Sequence, residues 1–391
     1  MLLSPMNPLF ALVATALAFL AVWCINRKKL LVMEKGRYDS IDGLRGYLAF
    51  FVFLHHSYAN YFYLTTDKWH TPSSNLYTIF GHGSVQIFFM ITSFLFFGKL
   101  LHGDQRKIDW TKFYISRLLR LYPLYLFSMC LFFLIIAYLS MGDLRESYWE
   151  LFKHTSSWLL MGVFGMAEVN EIQQTHQINA GVTWTLSYEW IFYLAMPTLA
   201  FLLRNKTTNF WLAFSLISVC VLAIFNPILG GKAFLGGIIA SYLIRNDEFK
   251  LFAASNIASI LVVISLFSAV VFFSYSESFA LVLLMIAFIL VACGNNLYGA
   301  LIHPVSKALG NLSYSIYLLH GILLFVTFNI LIDKPFVTSP IVYWGIILII
   351  TPILILICHY TYHYIEYPLM KSTDKVMIWL KKLGWRNAQK A

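Results

Sequence analysis

Residues 340–360 read PIVYWGIILIITPILILICHY, a run of 21 residues that contains no Asp, Glu, Lys or Arg. A run of this length and composition can cross the hydrocarbon core of a bilayer as one α-helix. Similar uncharged runs, roughly 15 to 25 residues long, recur from one end of the 391-residue chain to the other. The sequence therefore predicts an all-α polytopic membrane protein without a soluble domain.

The composition argues against the soluble classes of protein. Hydrophobic residues make up 59% of the chain and charged residues only 12%, which is about half the charged fraction of an average globular protein. The formal net charge of +10 would suit a nucleic-acid partner if the basic residues formed a continuous patch. They lie instead at the ends of apolar runs, which is typical of a membrane interface, so we expect no nucleic-acid partner.

The cysteines give no sign of a disulfide framework or of a zinc site. All five lie inside or at the ends of apolar runs, and they have no metal-ligand spacing. They are Cys24, Cys130, Cys220, Cys293 and Cys358. This pattern favours packing or lipid-facing positions.

Eleven membrane spans are predicted from the apolar runs. They cover residues 8–25, 43–63, 80–98, 121–140, 182–203, 210–226, 232–245, 251–274, 279–293, 313–332 and 340–360. The sixth, seventh and ninth of them are short. Residues 149–168 hold only a half-length apolar stretch, which predicts an interfacial or re-entrant segment.

The distribution of basic residues predicts the orientation of the chain. With the N-terminus outside, the cytoplasmic segments hold 22 of the 28 Lys and Arg residues and the outer segments hold five, with Arg45 inside a span. The positive-inside rule demands such an asymmetry, and it places the C-terminus in the cytoplasm. No basic residue precedes the first apolar run, and Arg27-Lys28-Lys29 follows it, so we expect helix 8–25 to be retained rather than cleaved as a signal peptide.

The second predicted span carries ionisable groups, which are costly in a membrane and mark candidate functional sites. Residues 42–56 read DGLRGYLAFFVFLHH. Arg45 and His56 are eleven positions apart, which places them on one helix face about 16 Å apart, whereas His55 points about 80° away. The spacing predicts Arg45 at the cytoplasmic end, suited to an anionic ligand, and His56 within the outer half.

Glu189 in the fifth predicted span falls about as deep as His56 when the residues are counted from the outer surface. A histidine paired with a carboxylate in a dry site can serve as a general base held in one tautomer. The spacing fits equally well a buried structural ion pair, or two residues that face separate water-filled crevices. We predict the catalytic pair and keep both alternatives open.

Two further groups of ionisable residues are candidates for binding. Arg117 and Arg120, at positions i and i+3 before a span, can grip phosphates bidentately or serve as ordinary interface anchors. His320 lies about mid-membrane, where a lone histidine is more often a packing residue. His359 and His363 have i, i+4 spacing without an evident third ligand, so we expect no metal site.

The third predicted span, GSVQIFFMITSFL at residues 83–95, mixes small and aromatic residues, as a helix-packing face does. Three later segments complete an ordered series with Arg45-x10-His56 and Arg117-x-x-Arg120. They are WTLSYEWIFY at 184–193, SYSIYLLH at 313–320 and EYP at 366–368. Over about residues 38–370 this series resembles the membrane-bound acyltransferase-3 family, which O-acylates bacterial cell-surface glycans and some small molecules.

The resemblance implies a ten-helix core over residues 38–370. Residues 1–37 would then form an additional N-terminal helix with a basic linker, and residues 371–391 a basic cytoplasmic tail. The family's optional extracytoplasmic hydrolase-like domain is not expected here. Gln86 stands where the family usually has Asp, and Thr92-Ser93 stands where it has Ser-Gly; these departures leave the Arg/His pair unchanged.

The resemblance also implies a mechanism. Acyl-CoA, with acetyl as the expected acyl group, would be a co-substrate rather than a permanently bound cofactor, and Arg45, Arg117 and Arg120 would bind its phosphates. His56, oriented by Glu189, would deprotonate an acceptor hydroxyl that attacks the thioester directly. Arg45 is counted with His56 and Glu189 as catalytic. The expected substrate contacts are Trp184, Ser187, Tyr193 and His320.

The acceptor and one rival function stay open at this point. A surface polysaccharide, peptidoglycan or a lipid-linked sugar all fit as the glycan acceptor, in contact with membrane lipids at a bacterial cytoplasmic (inner) membrane. Trp69 and Trp149 in the outer loops suit sugar stacking or interface anchoring. The alternative function is a transporter or flippase of a glycan or lipid-linked precursor, since such proteins also carry mid-depth polar groups and helices broken by residues such as Pro197.

Overall fold

The computed structural model describes residues 7–27, 38–69, 73–101, 108–203, 207–225, 231–273, 277–332 and 338–383. Within these ranges every regular element is helical and no strand occurs. The basic linker after the first helix and the last basic residues of the tail lie outside the described residues. A helix satisfies its backbone N–H and C=O groups locally, which is what an apolar surrounding requires.

Eight helices form the first part of the chain. They are α1 Pro8–Arg27, α2 Asp39–Thr66, α3 Asn75–Thr78, α4 Ser84–Leu101, α5 Trp110–Leu139, α6 Tyr148–Leu159, α7 Trp184–Leu202 and α8 Asn209–Phe225. A π-helical turn, Ile79–Gly83, joins α3 to α4, and a 3₁₀ turn, Thr175–Asn179, precedes α7.

Nine helices follow in the second part of the described chain. They are α9 Gly231–Leu243, α10 Asp247–Ala253, α11 Asn256–Phe272, α12 Glu277–Ala292, α13 Pro304–Asn311, α14 Ser313–Phe325, α15 Pro340–Thr361, α16 Tyr367–Met370 and α17 Thr373–Lys382. Two π-helical turns, Val326–Leu331 and Tyr362–Glu366, extend α14 and α15.

Each of the eleven predicted spans is largely helical in the part of the chain that the structure describes, although a turn at residues 254–255 breaks the eighth. Five helices or continuous helix series are long and apolar enough to cross a membrane: Pro8–Arg27, Asn75–Leu101, Trp110–Leu139, Ser313–Leu331 and Pro340–Lys382. The pair α10 and α11, bent by 68°, makes a sixth if it is one broken span. The chain is therefore a multi-pass membrane protein, while the count of eleven spans and the orientation of the termini stay predictions.

Polar residues fix several helix starts. The side chain of Asp109 accepts a hydrogen bond from the backbone N–H of Lys112 at 3.0 Å, where α5 begins. Ser255 caps α11 in the same way, accepting from Ala258 at 3.2 Å. Such caps satisfy N–H groups that have no partner inside the helix, so the sequence itself sets these boundaries.

Helix α2 lies at the centre of the bundle and packs against α4, α13 and α14. Its crossing with α13 is very close. A Cβ atom on Gly310 would collide with the carbonyl oxygen of Asp42, and one on Gly43 would collide with the carbonyl of Leu301. Glycine alone permits this approach, which fixes the start of α2, and with it Arg45, against α13.

The half-length stretch between α5 and α7 does not span the bundle. Its helix α6 has only 12 residues, too few to cross a bilayer, and it exposes Tyr148, Trp149 and Phe152. The chain then turns back into the bundle, where the turn Thr175–Asn179 packs against α14. Asn179 is 1% exposed, so the segment between α6 and α7, residues 160–183, forms part of the protein core. We call it the re-entrant segment because it returns to the bundle.

Candidate active site

The first of two neighbouring cavities has a volume of about 340 Å³ and lies among α2, α4, α5, α7 and α14. We call it the arginine cavity. Its charged lining residues are Asp42, Arg45, Lys99, Arg117, Arg120 and Glu189. The structure thus brings together the three arginines that the sequence predicted as an anion site. The cations outnumber the carboxylates four to two, so the lining favours an anionic ligand.

Arg117 and Lys99 share one aromatic ring in this cavity. The guanidinium carbon of Arg117 lies 5.0 Å from the centroid of Phe96, and Nζ of Lys99 lies 4.9 Å from it. Nη2 of Arg117 donates to Oγ of Ser116 at 3.3 Å. Its Nε is buried and has no acceptor among the described residues. An unmet donor on a buried cation is costly, and an oxygen of an anionic ligand would satisfy it.

The second cavity has a volume of about 760 Å³, and we call it the histidine cavity. Its most prominent polar and aromatic lining residues are His55, His56, His82, His176, Trp69 and Trp184. The ring centroids of Trp69 and His56 are 6.3 Å apart, and the two rings are nearly parallel at 20°. Aromatic faces beside hydrogen-bonding groups suit a polyhydroxylated ligand.

Hydrogen bonds fix the tautomer of His56. Nδ1 of His320 lies 2.8 Å from the carbonyl oxygen of Ile316, which can only accept, so His320 carries its proton on Nδ1 and its Nε2 accepts. That Nε2 lies 2.9 Å from Nδ1 of His56, which must therefore be the donor. His56 keeps the free lone pair on its Nε2, the state that a general base needs.

The expected pairing of His56 with Glu189 is not the arrangement observed. Glu189 lines the arginine cavity and accepts a hydrogen bond from the hydroxyl of Tyr193. The prediction counts the depth of each residue along its own helix, and equal counts do not bring two side chains together unless the helices turn them toward each other. Glu189 of α7 lines the arginine cavity, whereas His320 of α14 lies beside His56 of α2, with 2.9 Å between Nε2 and Nδ1.

Two residues predicted as substrate contacts line neither cavity. His320 is fully buried, and its Nε2 lies against Nδ1 of His56. Ser187 is buried as well and donates to the carbonyl of Met161 at 3.1 Å. Trp184 is 42% exposed and lines the histidine cavity, whereas Tyr193 lines the arginine cavity but is only 1% exposed and donates its hydroxyl proton to Glu189. The substrate contacts themselves stay predictions.

The departures in the third predicted span fall at three different places. Gln86 lines the histidine cavity and Thr92 the arginine cavity. Ser93 donates to the carbonyl of Phe234 at 2.7 Å and joins α4 to α9. Gln86 therefore bears on the histidine cavity, Thr92 on the arginine cavity and Ser93 on helix packing.

The remaining polar residues near the end of the chain take structural positions. Glu366 is buried and accepts a hydrogen bond from Ser315. The rings of His359 and His363 stack with centroids 6.2 Å apart. Among the described residues no group of three or more His, Cys, Asp or Glu side chains could hold a metal ion.

Three residues line both cavities and so form the divide between them: Val85, Phe89 and Tyr317. The first two lie on α4 and the third on α14. Arg45 and His56 lie on the two sides of this divide, although both belong to α2. The two cavities therefore adjoin at these three side chains.

Sequence reasoning did not single out Lys99 or Tyr317. Lys99 ends an apolar run, where a basic residue usually anchors a helix at the interface. Tyr317 lies three residues before His320, and i, i+3 positions share a helix face. That spacing is a signal that would have placed the Tyr317 ring near the histidine pair, where its centroid is 6.3 Å from that of His320.

The re-entrant segment reaches the level of the histidine pair because α14 has a glycine there. A Cβ atom on Gly321 would lie 2.5 Å from the carbonyl oxygen of Asn179 and 2.8 Å from the backbone nitrogen of Ala180. We expect Gly321→Ala to lower the free energy of unfolding by about 1–3 kcal/mol through overpacking. Thermal unfolding of the purified protein in detergent measures this effect.

Gly345→Ala is the matched control, because a Cβ atom on Gly345 meets nothing within 4 Å. It lies in helix α15, where alanine is favoured over glycine, so its melting temperature should not fall. Equal melting temperatures for Gly321→Ala and Gly345→Ala would contradict the close approach of the re-entrant segment.

Comparison with known proteins identifies the family. Residues 38–360 match the acyltransferase-3 family model, which is described as an acyltransferase domain. Comparisons with curated proteins and with solved structures gave no match. The family match covers most of the chain and includes the lining residues of both cavities, from Tyr38 to Tyr317. The chain therefore belongs to the acyltransferase-3 family and is a multi-pass membrane acyltransferase.

Proposed function

We propose that the protein is an O-acyltransferase that moves an acyl group, acetyl in the first instance, from acyl-CoA to a hydroxyl of a glycan. The observation that carries this proposal is the pair of cavities that meet at Val85, Phe89 and Tyr317. One cavity has an anion-binding lining, and the other holds a histidine with its basic nitrogen free. Donor and acceptor can thus bind on separate sides and react at the divide.

The arginine cavity suits the phosphates of acyl-CoA. Guanidinium groups bind phosphate oxygens through paired, charge-assisted hydrogen bonds, and Arg117 has a buried Nε without an acceptor among the described residues. Arg45 and His56 are about 16 Å apart along α2. This separation is roughly half the thickness of a bilayer core, a distance that the pantetheine arm can cover to bring the thioester to the divide.

The proposed chemical step is direct transfer. Nε2 of His56 removes the proton of the acceptor hydroxyl while the oxygen forms a bond to the thioester carbonyl carbon. The carbon–sulfur bond then breaks, and the coenzyme A thiolate takes up the proton from His56 to leave as the thiol. No serine or cysteine among the described residues makes a hydrogen bond to His56, which favours this route over an acyl-enzyme relay.

The histidine cavity suits a glycan acceptor. It is the larger of the two, and the indoles of Trp69 and Trp184 offer faces on which a sugar ring can stack. We place the arginine cavity on the cytoplasmic side of a bacterial inner membrane, where acyl-CoA occurs. The acceptor is then a surface polysaccharide, peptidoglycan or lipid-linked sugar that reaches the histidine cavity from outside.

The test is transfer by the purified protein in nanodiscs, supplied with radiolabelled acetyl-CoA and a crude glycan fraction of the host. Label in the glycan with wild type, and none with a monodisperse His56→Ala protein, supports the proposal. Binding of acetyl-CoA without transfer points to a missing acceptor or partner. Neither binding nor transfer, with any of several acyl-CoA donors, would contradict the proposal and favour the transporter.

A further inference from the structure

The hydroxyl of Tyr317 occupies a defined place between the two cavities. It lies 2.6 Å from Oγ1 of Thr185, a residue that lines the arginine cavity. It also donates, at 3.0 Å, to the carbonyl oxygen of Val182, a residue that lines the histidine cavity. Tyr317 itself lines both. Its phenolic oxygen is therefore bonded to one residue from each side of the divide.

This hydroxyl can be turned toward a ligand without leaving a buried carbonyl unsatisfied. Oγ1 of Thr185 lies 3.1 Å from the same Val182 oxygen and donates to it. When the hydroxyl proton of Tyr317 points away from the Val182 carbonyl, Thr185 still donates a hydrogen bond to that carbonyl. The two hydroxyls thus share one carbonyl acceptor, and Thr185 keeps it satisfied if the Tyr317 proton turns from its present bonds to a ligand.

The proposed transfer requires such a donor. Attack of an oxygen nucleophile on a thioester gives a tetrahedral intermediate whose carbonyl oxygen becomes an anion, and donors aimed at that oxygen stabilise the transition state. Arg45 lies about 16 Å from His56 along α2, and in the proposed function the arginines bind the phosphates at the far end of the donor from the reacting carbon. The oxyanion therefore needs a donor near the divide itself.

The nearby backbone does not supply this donor. Three consecutive residues of the re-entrant segment line the histidine cavity, but their N–H groups are already bonded. Ala180 donates to the carbonyl of Gln177 at 3.0 Å, and Gly181 to that of His176 at 2.7 Å. Val182 donates to the carbonyl of Asn179 at 3.3 Å.

We infer that Tyr317 is a catalytic residue whose neutral hydroxyl donates a hydrogen bond to the thioester carbonyl oxygen as it becomes negative. This inference rests on the proposed acyl transfer. Tyr317 keeps its proton throughout, while His56 carries the transferred proton. The same helix α14 supplies Tyr317 and His320, one turn apart, so it positions both the oxyanion donor and the partner of the base.

The test compares Tyr317→Phe with Tyr61→Phe in the labelled acetyl transfer assay. Tyr61 is a matched control because it is as buried as Tyr317, lines neither cavity, and donates its hydroxyl proton to the carbonyl oxygen of Thr338 at 2.9 Å. We expect Tyr317→Phe to lower kcat by about 10²–10³-fold, as loss of one oxyanion donor does. The KM for acetyl-CoA should change little, and Tyr61→Phe should keep most of the wild-type kcat.

Failure of the inference and failure of the proposed function give different results. Wild-type kcat in Tyr317→Phe, beside inactive His56→Ala, overturns the inference and leaves the transferase standing. Absence of transfer by wild type overturns both.

A second variant covers the case in which Tyr317→Phe does not fold. Difluorotyrosine inserted at position 317 keeps the ring and its contacts but makes the hydroxyl a stronger donor. A change in kcat without a change in acetyl-CoA affinity supports the inference, and an unchanged kcat overturns it.

Discussion

His56→Ala should lower the rate of acyl transfer by about 10²–10⁴-fold, the range that general-base catalysis contributes. The reason is the fixed tautomer. His320 holds the proton of His56 on Nδ1 and leaves Nε2 free. The affinity for acyl-CoA should stay close to wild type, because the charged lining residues that would hold the donor belong to the other cavity. Single-turnover transfer and isothermal titration with acetyl-CoA measure the two quantities.

His82→Ala is the matched control for His56→Ala. His82 lines the same cavity and is not part of the hydrogen bonds that join His56 to His320, so most activity should remain. His320→Ala should also lower the rate, and adding it to His56→Ala should have little further effect, since the two residues act as a unit. Equal activities of the His56 and His82 variants would mean that His56 is not the base.

Removal of two arginines should weaken donor binding by about 10²–10⁴-fold. A hydrogen bond to a charged group contributes about 1.5–3 kcal/mol, and about 1.4 kcal/mol corresponds to a tenfold change in affinity. Arg45→Gln combined with Arg117→Gln removes two cations from facing helices of the arginine cavity. The dissociation constant of acetyl-CoA should rise by this factor, which titration of the purified double variant measures.

Arg145→Gln is the control for the loss of charge. Arg145 is exposed and lines neither cavity, so its removal should leave acetyl-CoA affinity unchanged. The double arginine variant should also bind free coenzyme A less tightly, because the phosphates rather than the acyl group make the contacts. Unchanged affinity in the double variant, with a monodisperse protein, would refute the assignment of the arginine cavity to the donor.

The sequence predicted best what depends on a single helix. Arg45 and His56 were placed on one face of α2 from the helical repeat alone, and the structure puts them in adjoining cavities. Several helices also lie close to the predicted apolar runs, such as Trp184–Leu202 beside 182–203, whereas the run 121–140 misses the first eleven residues of Trp110–Leu139. The acyltransferase-3 assignment from ordered motifs is confirmed by the family match over residues 38–360.

The sequence could not predict contacts between separate helices. Counting from the outer surface pairs Glu189 with His56, whereas in the structure Glu189 lines the arginine cavity and His320 contacts His56. No periodicity in the sequence shows that the backbone of Asn179 lies against Gly321. The sequence singles out His320 as an ionisable residue within a predicted span, but only packing shows that it contacts His56.

The division between the cavities could not be predicted for a similar reason. Thr185 and Tyr317 belong to motifs 132 positions apart in the sequence, and their hydroxyl contact arises from the packing of α7 against α14. The motifs identified several of the segments that line the two cavities. The role of each residue within them depends on which cavity it faces, and Ser187 and Trp184, three residues apart, face different surroundings.

A structure of the purified protein with a non-hydrolysable acetyl-CoA analogue tests the two-cavity account most directly, and it needs no knowledge of the acceptor. Cryo-electron microscopy should show the phosphates against Arg45, Arg117 and Arg120. The acyl end should reach the divide at Tyr317, with its carbonyl carbon facing His56. Coenzyme A bound in the histidine cavity, or outside both cavities, would contradict the account.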